Sequence, residues 1–321
     1  MLTMPDPTRF APMNKGFART FQPGRLSLGL VVPLEAYPNS AVPSMTDHLA
    51  RVQLAEQLGF SAVWLRDVPF NVPSFGDAGQ VFDPFVYLGL LAGATQEISL
   101  GVASVILPLR HPAHVAKAAA SADVLSEGRL LLGVASGDRP EEYPAMNMSF
   151  EDRAERFRDS VAYIRGVGAP RSEVTAAQGR VQSMDLLPKP TGPRLPLLVT
   201  GSSRQSPAWI AEHSDGWITY PRSVPQQQAV IDTYRSGTRA LGLPDKPVMQ
   251  SLYVDLRPEA DTPPSPIHLG FRSGTDALIA YLREIEAVGV NHVALNLRFS
   301  SRSTEDTLHH LADAVLPVFA S

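Results

Sequence analysis

Two small, polar turns follow apolar runs at places where backbone amides and hydroxyls could hold an anion. Leu195–Thr200 leads into Gly201, Ser202 and Ser203, and a helix follows whose first turn includes Pro207. Amide N–H groups at a helix amino terminus, two serine hydroxyls and the charge of Arg204 would together suit a phosphate. The plainer alternative is that the serines only cap that helix, a position serine favours. In the same way Leu130–Ala135 runs into Ser136, Gly137 and Asp138. Polar residues at the carboxyl end of a buried strand are where α/β folds place ligands.

Proton chemistry has two candidates. Asp67 ends the run WLRD before a long loop and is the best-placed carboxylate for work beside a ligand. Its alternative task is to pair with Arg66 or cap the loop. His111, after Arg110 and before Pro112, could act as a general base or sit beside a cofactor. Equally, it could start the following helix with a hydrogen bond to backbone. Asp138, Tyr220 and Arg222 lie just past strand ends, where substrate-contacting side chains belong. No metal site is expected: there is no cysteine, and the eight histidines are scattered. No G-x-S-x-G elbow marks a serine hydrolase.

The elements that must position these residues alternate strand and helix. Strands are predicted at 26–33, 60–65, 98–107, 130–135, 195–200, 216–220, 248–256 and 290–297. Helices are predicted at 45–58 (capped by Ser44 or Thr46), 84–95, from Pro112 to Leu125, 150–167, 206–213, 226–240, 275–288 and 304–319. Strands that are apolar throughout indicate a parallel sheet covered on both faces. Eight such units fit a (β/α)₈ TIM barrel, with the extra length in loops 66–80, 139–149, 168–194 and 257–274. A doubly wound open sheet is the alternative, but no early strand is followed by G-x-G-x-x-G or G-x-x-x-x-G-K-[ST]. Residues 1–25 are expected to form an N-terminal arm and 26–321 a single barrel domain.

Composition excludes several functions. A net charge of −4 gives no electrostatic footprint for nucleic acid or an anionic membrane. No window holds eighteen uncharged apolar residues, so no membrane span is expected. The first 25 residues lack the apolar stretch of a secretory signal, which makes the cytoplasm the default expectation.

LGVASVILPLRHP at 100–112, followed by SEGRLLLGVASGD at 126–138, resembles the bacterial-luciferase-like flavin monooxygenases. VTGSS at 199–203, AEHSDGWI at 211–218 and GVNHVALNL at 289–297 continue the resemblance in order. It implies FMN as cofactor, its phosphate held by the Gly201–Ser203 turn and by Ser136. It also implies a cis peptide between Ala103 and Ser104 behind the isoalloxazine ring. Bacterial luciferase has arginine at the position of Ser136 and histidine near Asp67, so its mechanism cannot simply be transferred. The implied reaction oxygenates a small organic substrate with O₂ and reduced flavin from a separate NAD(P)H:flavin reductase. Loops 66–80, 139–149 and 257–274 are the candidate lid. A homodimer is expected from the resemblance and from apolar positions in the 84–95 and 115–125 helices.

Three alternatives stand beside this reading. A relative using the deazaflavin F420 for hydride transfer would share the barrel and would need cationic side chains for the cofactor's acidic tail. A non-catalytic flavin-binding protein is the second. A barrel lyase or hydrolase acting on a phosphorylated substrate would use the same Gly-Ser-Ser turn without flavin.

Overall fold

The computed structural model describes residues 10–319, so residues 1–9 of the expected arm and the last two residues lie outside it. Eight parallel strands close on themselves: β1 (Ser27–Val31), β2 (Ala62–Leu65), β3 (Ser99–Ile106), β4 (Leu130–Ala135), β5 (Leu197–Thr200), β6 (Gly216–Thr219), β7 (Val248–Leu256) and β8 (His292–Asn296). Each pairs with the next, and β8 returns to β1 with Ser27 opposite His292 and Leu30 opposite Leu295. Helices between the strands complete the (β/α)₈ barrel.

Strand alternation divides the apolar residues into two cores. Leu130, Leu132, Leu197 and Val199 face outward into the layer between strands and helices. Leu131, Leu198, Ile218, Met249 and Ala294 point into the barrel. The amino end of the barrel is filled from the N-terminal segment. Helix Lys15–Thr20 and the following residue bring Phe17 and Phe21 into the inner core, each 3% exposed. Asn14 holds that helix in place: its side chain accepts from Phe17 N at 2.9 Å and donates to Asp123 and to the carbonyl of Leu130, both at 2.7 Å.

Several helices begin as expected, with a capping side chain followed by proline. Asp83 caps Pro84–Ala94, His111 caps Pro112–Leu125 and Ser206 caps Pro207–His213. Other expectations are corrected. The first barrel helix starts at His48, not Met45, because Glu35 holds the amides of Ser44 and Met45 at 2.8 and 2.9 Å. Neither Ser44 nor Thr46 caps it. The final helix ends at Ala314, and Leu316–Phe319 continues as a separate short turn, since Pro317 cannot prolong the ladder.

The expected irregular excursion at 257–274 contains a hairpin, Ser265–Ile267 with Gly270–Ser273. Its second strand runs parallel to the extension of β7 beyond the barrel rim, with Gly270 opposite Tyr253. Only glycine fits there, because a Cβ would lie 1.9 Å from the Tyr253 carbonyl oxygen. A second hairpin, Val174–Ala176 with Gly179–Val181, occupies the 168–194 segment.

Candidate active site

A cavity of about 900 Å³ opens at the carboxyl end of the barrel. Its floor is apolar, formed by Val31, Trp64, Ala103, Ile218, Met249 and Ala294. Trp64 is fully buried, and its indole Nε1–H donates to Nε2 of His292 at 2.8 Å. Two strand glycines make room for this pair. A Cβ on Gly101 would come within 2.2 Å of the Trp64 ring, and one on Gly29 within 2.7 Å of His292 Nε2. Because Nε2 accepts, the His292 proton resides on Nδ1, which donates to Ser27 Oγ at 2.7 Å. Ser27 in turn donates to the Thr20 carbonyl at 2.6 Å. Burial pulls the His292 pKa down to about 3, so the imidazole is neutral.

The β4–β5 side of the cavity gathers the small polar groups. Ser104 and Thr200 hydrogen-bond through their hydroxyls, tying the ends of β3 and β5 together. The Ala103–Ser104 peptide is cis. Ser136 is 5% exposed, and Gly137 follows with φ +75°. Gly201–Arg204 forms a turn at the rim, with φ +54° at Gly201 and +42° at Ser203. Ser206, not Ser202 or Ser203, caps the next helix, accepting from Trp209 N at 3.2 Å. Ser203 Oγ donates back to the Thr200 carbonyl at 2.8 Å, while the amides of Ser202 and Ser203 meet no acceptor among the described residues. Arg204 and Arg153 stand at this rim, Arg153 stacked on Phe150 with its guanidinium 3.4 Å from the ring centre.

The opposite wall is built from β2, β8 and the 66–80 loop. Asp67 is buried and pairs with Arg110, not Arg66: Arg110 donates from Nε and Nη2 at 3.0 and 2.8 Å, and Ile106 N adds a third bond at 3.1 Å. Asp77 folds the loop back onto the wall. It accepts from Arg66 Nη1 at 2.7 Å, Tyr37 Oη at 3.0 Å and Gly79 N at 2.9 Å, with Arg298 Nη1 at 3.0 Å. Burial pushes the Asp77 carboxyl up, but Arg66 and the other donors outweigh it and hold it below the usual carboxylate range. Arg139 packs 4.2 Å above the Phe75 ring and donates to the Asp77 carbonyl at 3.1 Å. Tyr253, 8% exposed, stands between this wall and His268 of the hairpin, and burial raises its phenol pKa.

Ten of the residues singled out in the sequence line this cavity: Asp67, Ala103, Ser104, Ser136, Asp138, Gly201, Ser202, Ser203, Arg204 and Tyr220. His111 and Arg222 do not. His111 Nδ1 accepts from Ala113 N at 3.2 Å, and Nε2 lies 3.0 Å from the Gln178 carbonyl, so both ring nitrogens serve the backbone. Arg222 folds back on its own strand end, bonding Thr219, the Tyr220 carbonyl at 2.9 Å and Gln227 at 3.3 Å. Sequence reasoning overlooked Arg298, Tyr253, His268, Arg153 and Asp77 as cavity residues. Arg298 carried a usable signal, since it follows β8 as directly as Asp67 follows β2. His268 carried none, because the hairpin that brings it to the mouth was read as irregular.

An apolar floor beneath a rim of amides, hydroxyls and guanidiniums fits a flat ring system with an anionic end. Among the described residues, no three His, Asp or Glu side chains converge as a metal site, and no helix is long and apolar enough to cross a membrane.

Residues 20–262 match the luciferase-like monooxygenase family. The F420-dependent hydroxymycolic acid dehydrogenase of Mycobacterium tuberculosis is 30% identical over 235 residues, covering 71% of this chain and 62% of that protein. This chain therefore matches somewhat less than two thirds of that relative's length. Among solved structures, monooxygenase RslO1 from Streptomyces bottropensis superimposes with a TM-score of 0.77 at 20% identity, covering 91% of this chain and 99% of the other. An F420-dependent secondary alcohol dehydrogenase, solved with an F420-acetone adduct, gives 0.75 at 17% identity over 92% and 99%. These two likenesses concern the fold. The chain belongs to the luciferase-like monooxygenase family.

Proposed function

We propose that this protein is an oxidoreductase that uses the deazaflavin F420 to move a hydride to or from a small organic substrate. The observation that carries this reading is the pair Arg153 and Arg204 beside the Gly201–Ser203 turn. Neither has a carboxylate partner among the described residues, and together they suit a cofactor with acidic groups beyond one phosphate. The name of the mycobacterial relative supports the same choice.

F420, when bound, supplies the ring carbon that accepts or gives the hydride. The chain's own residues do the rest. The hydroxyls of Ser202 and Ser136 and the amide of Ser203 would donate to the phosphate, and Arg204 and Arg153 would hold the acidic tail. Ala103 and Ser104 are small enough to let backbone approach the ring. Trp64, Val31 and Ala294 keep water from the floor. Asp138, just past β4, would face the substrate, whereas Tyr220 packs against Gly201 of the turn. Tyr253, kept protonated by burial, would offer its hydroxyl as a donor to a ligand in the cavity.

A second reading retains FMN and O₂, with reduced flavin delivered by a separate reductase; the turn's two uncommitted amides would serve the single phosphate of FMN equally well. We also propose a homodimer, formed through Val86 and Leu90 of one helix and Val124 and Leu125 of the next, which are 75%, 48%, 41% and 66% exposed.

Fluorescence titration of F420 into wild type, Ser202→Ala and Arg204→Ala tests the hydride-transfer reading. Each substitution should weaken binding by about 1–3 kcal/mol if it removes a bond to a charged oxygen. Unchanged affinity in both variants would remove the turn from the cofactor site.

A further inference from the structure

We infer that the substrate carries a carboxylate, bound by Arg66 on the wall opposite the Gly201–Arg204 turn. This names a substrate class for the oxidoreductase site proposed above and rests on that reading for the reaction it serves.

The first observation is the placement of charge. Arg66 follows β2 and Arg298 follows β8, the two neighbours of β1 in the closed barrel. β5, which carries the Gly201–Arg204 turn, lies four strands from β1 in either direction. A cofactor phosphate at the turn therefore leaves Arg66 and Arg298 to some other group.

The second observation is that two guanidiniums of this wall share one carboxylate. Arg66 and Arg298 both meet Asp77, at 2.7 and 3.0 Å, so this cluster alone carries +1, while the neighbouring cluster of Arg110 with Asp67 and Asp83 carries −1. The adjacent Arg139 has its own carboxyl neighbour, Glu142 at 3.9 Å, and adds nothing further when that group is ionised. A guanidinium that shares its carboxylate with another keeps N–H donors free for a second acceptor. A carboxylate, with two oxygens and a single charge, asks for less neutralisation here than a phosphate monoester.

The third observation concerns donors. Arg66 uses Nη1 on Asp77, and its side chain remains 21% exposed where it lines the cavity. Its other guanidinium N–H groups have no acceptor among the described residues. Asn296 also lines the wall, and because its Oδ1 accepts from Arg298 N at 3.0 Å, its Nδ2 is turned toward other acceptors. Arg298 Nε is buried without a partner. A carboxylate with one oxygen on Arg66 and the other on Asn296 would take up donors the protein leaves open.

Isothermal titration with phenylacetate, phenylacetamide and phenyl phosphate tests the inference, on the protein alone and on the protein loaded with F420. Phenylacetate should bind at least tenfold more tightly than its neutral amide and more tightly than phenyl phosphate. Arg66→Gln should abolish the preference for acid over amide, and Arg66→Lys should keep part of it, while F420 affinity stays within twofold of wild type. Equal affinity for acid and amide, no binding of either, tighter binding of phenyl phosphate, or a preference that survives in Arg66→Gln would overturn it. The acid-to-amide comparison on wild type needs no variant to fold. Loss of F420 binding with the acid preference intact would count against the cofactor alone.

Discussion

Trp64 and His292 meet inside the barrel, indole N–H to imidazole nitrogen at 2.8 Å, so that a neutral histidine on β8 fixes the floor of a cavity lined by β2. The contact exists because Gly29 and Gly101 give up their side chains to it. It joins the packed amino end of the barrel, through Ser27 and the Thr20 carbonyl, to the surface that a ligand ring would rest upon.

This pair makes stability depend on pH. The folded-state pKa of His292 falls from an ordinary 6.5 to about 3 because burial disfavours the imidazolium. The unfolded chain thus binds a proton that the folded chain refuses. The contribution is complete above about pH 6.5 and is lost progressively as pH falls toward 3, at up to about 1.4 kcal/mol per pH unit. Urea denaturation between pH 6.5 and 5 should show this slope in wild type and a shallower one in His292→Gln. Equal slopes would mean that His292 is protonated in the native protein.

Asp67 has a positional task. Its carboxylate receives Arg110 at two nitrogens and the Ile106 amide, and so holds the end of β3 against the end of β2. Asp67→Asn should lower stability by about 2 kcal/mol, moderated because Arg110 keeps Asp83 at 2.8 Å. Once corrected for folded fraction, turnover should keep the wild-type pH profile. Loss of an acidic limb in the variant would return Asp67 to proton transfer.

Pairing of two copies is open to a simple test. Val86→Glu or Leu125→Glu places a charge at an exposed apolar position of these helices and should convert a dimer to monomer in light scattering at micromolar concentration, with little change in helical content. A wild-type monomer under those conditions would contradict the pairing.

The barrel was legible because its signals are local. Pro84, Pro112 and Pro207 mark helix starts, and the apolar runs between them are long enough for buried strands. The Gly201–Ser203 turn was legible for the same reason, although its helix is capped three residues later, by Ser206. What stayed hidden depends on partners far away in sequence. Arg298 becomes a wall residue only because Asp77 is folded against it, and the 265–273 hairpin forms only because β7 projects past the rim. The AEHSDGWI segment also changes meaning: its Asp215 is 3% exposed and accepts from Arg165, Arg194 and Leu197 N, fastening β5 to its surroundings away from the cavity.

The choice of cofactor at this turn is measured by side-by-side equilibrium binding of F420 and FMN to the purified protein. F420 should bind at least tenfold more tightly, and its advantage should shrink as salt rises, since Arg153 and Arg204 lie at an exposed rim. Tighter binding of FMN, or an F420 preference indifferent to salt and to Arg204→Ala, would contradict it.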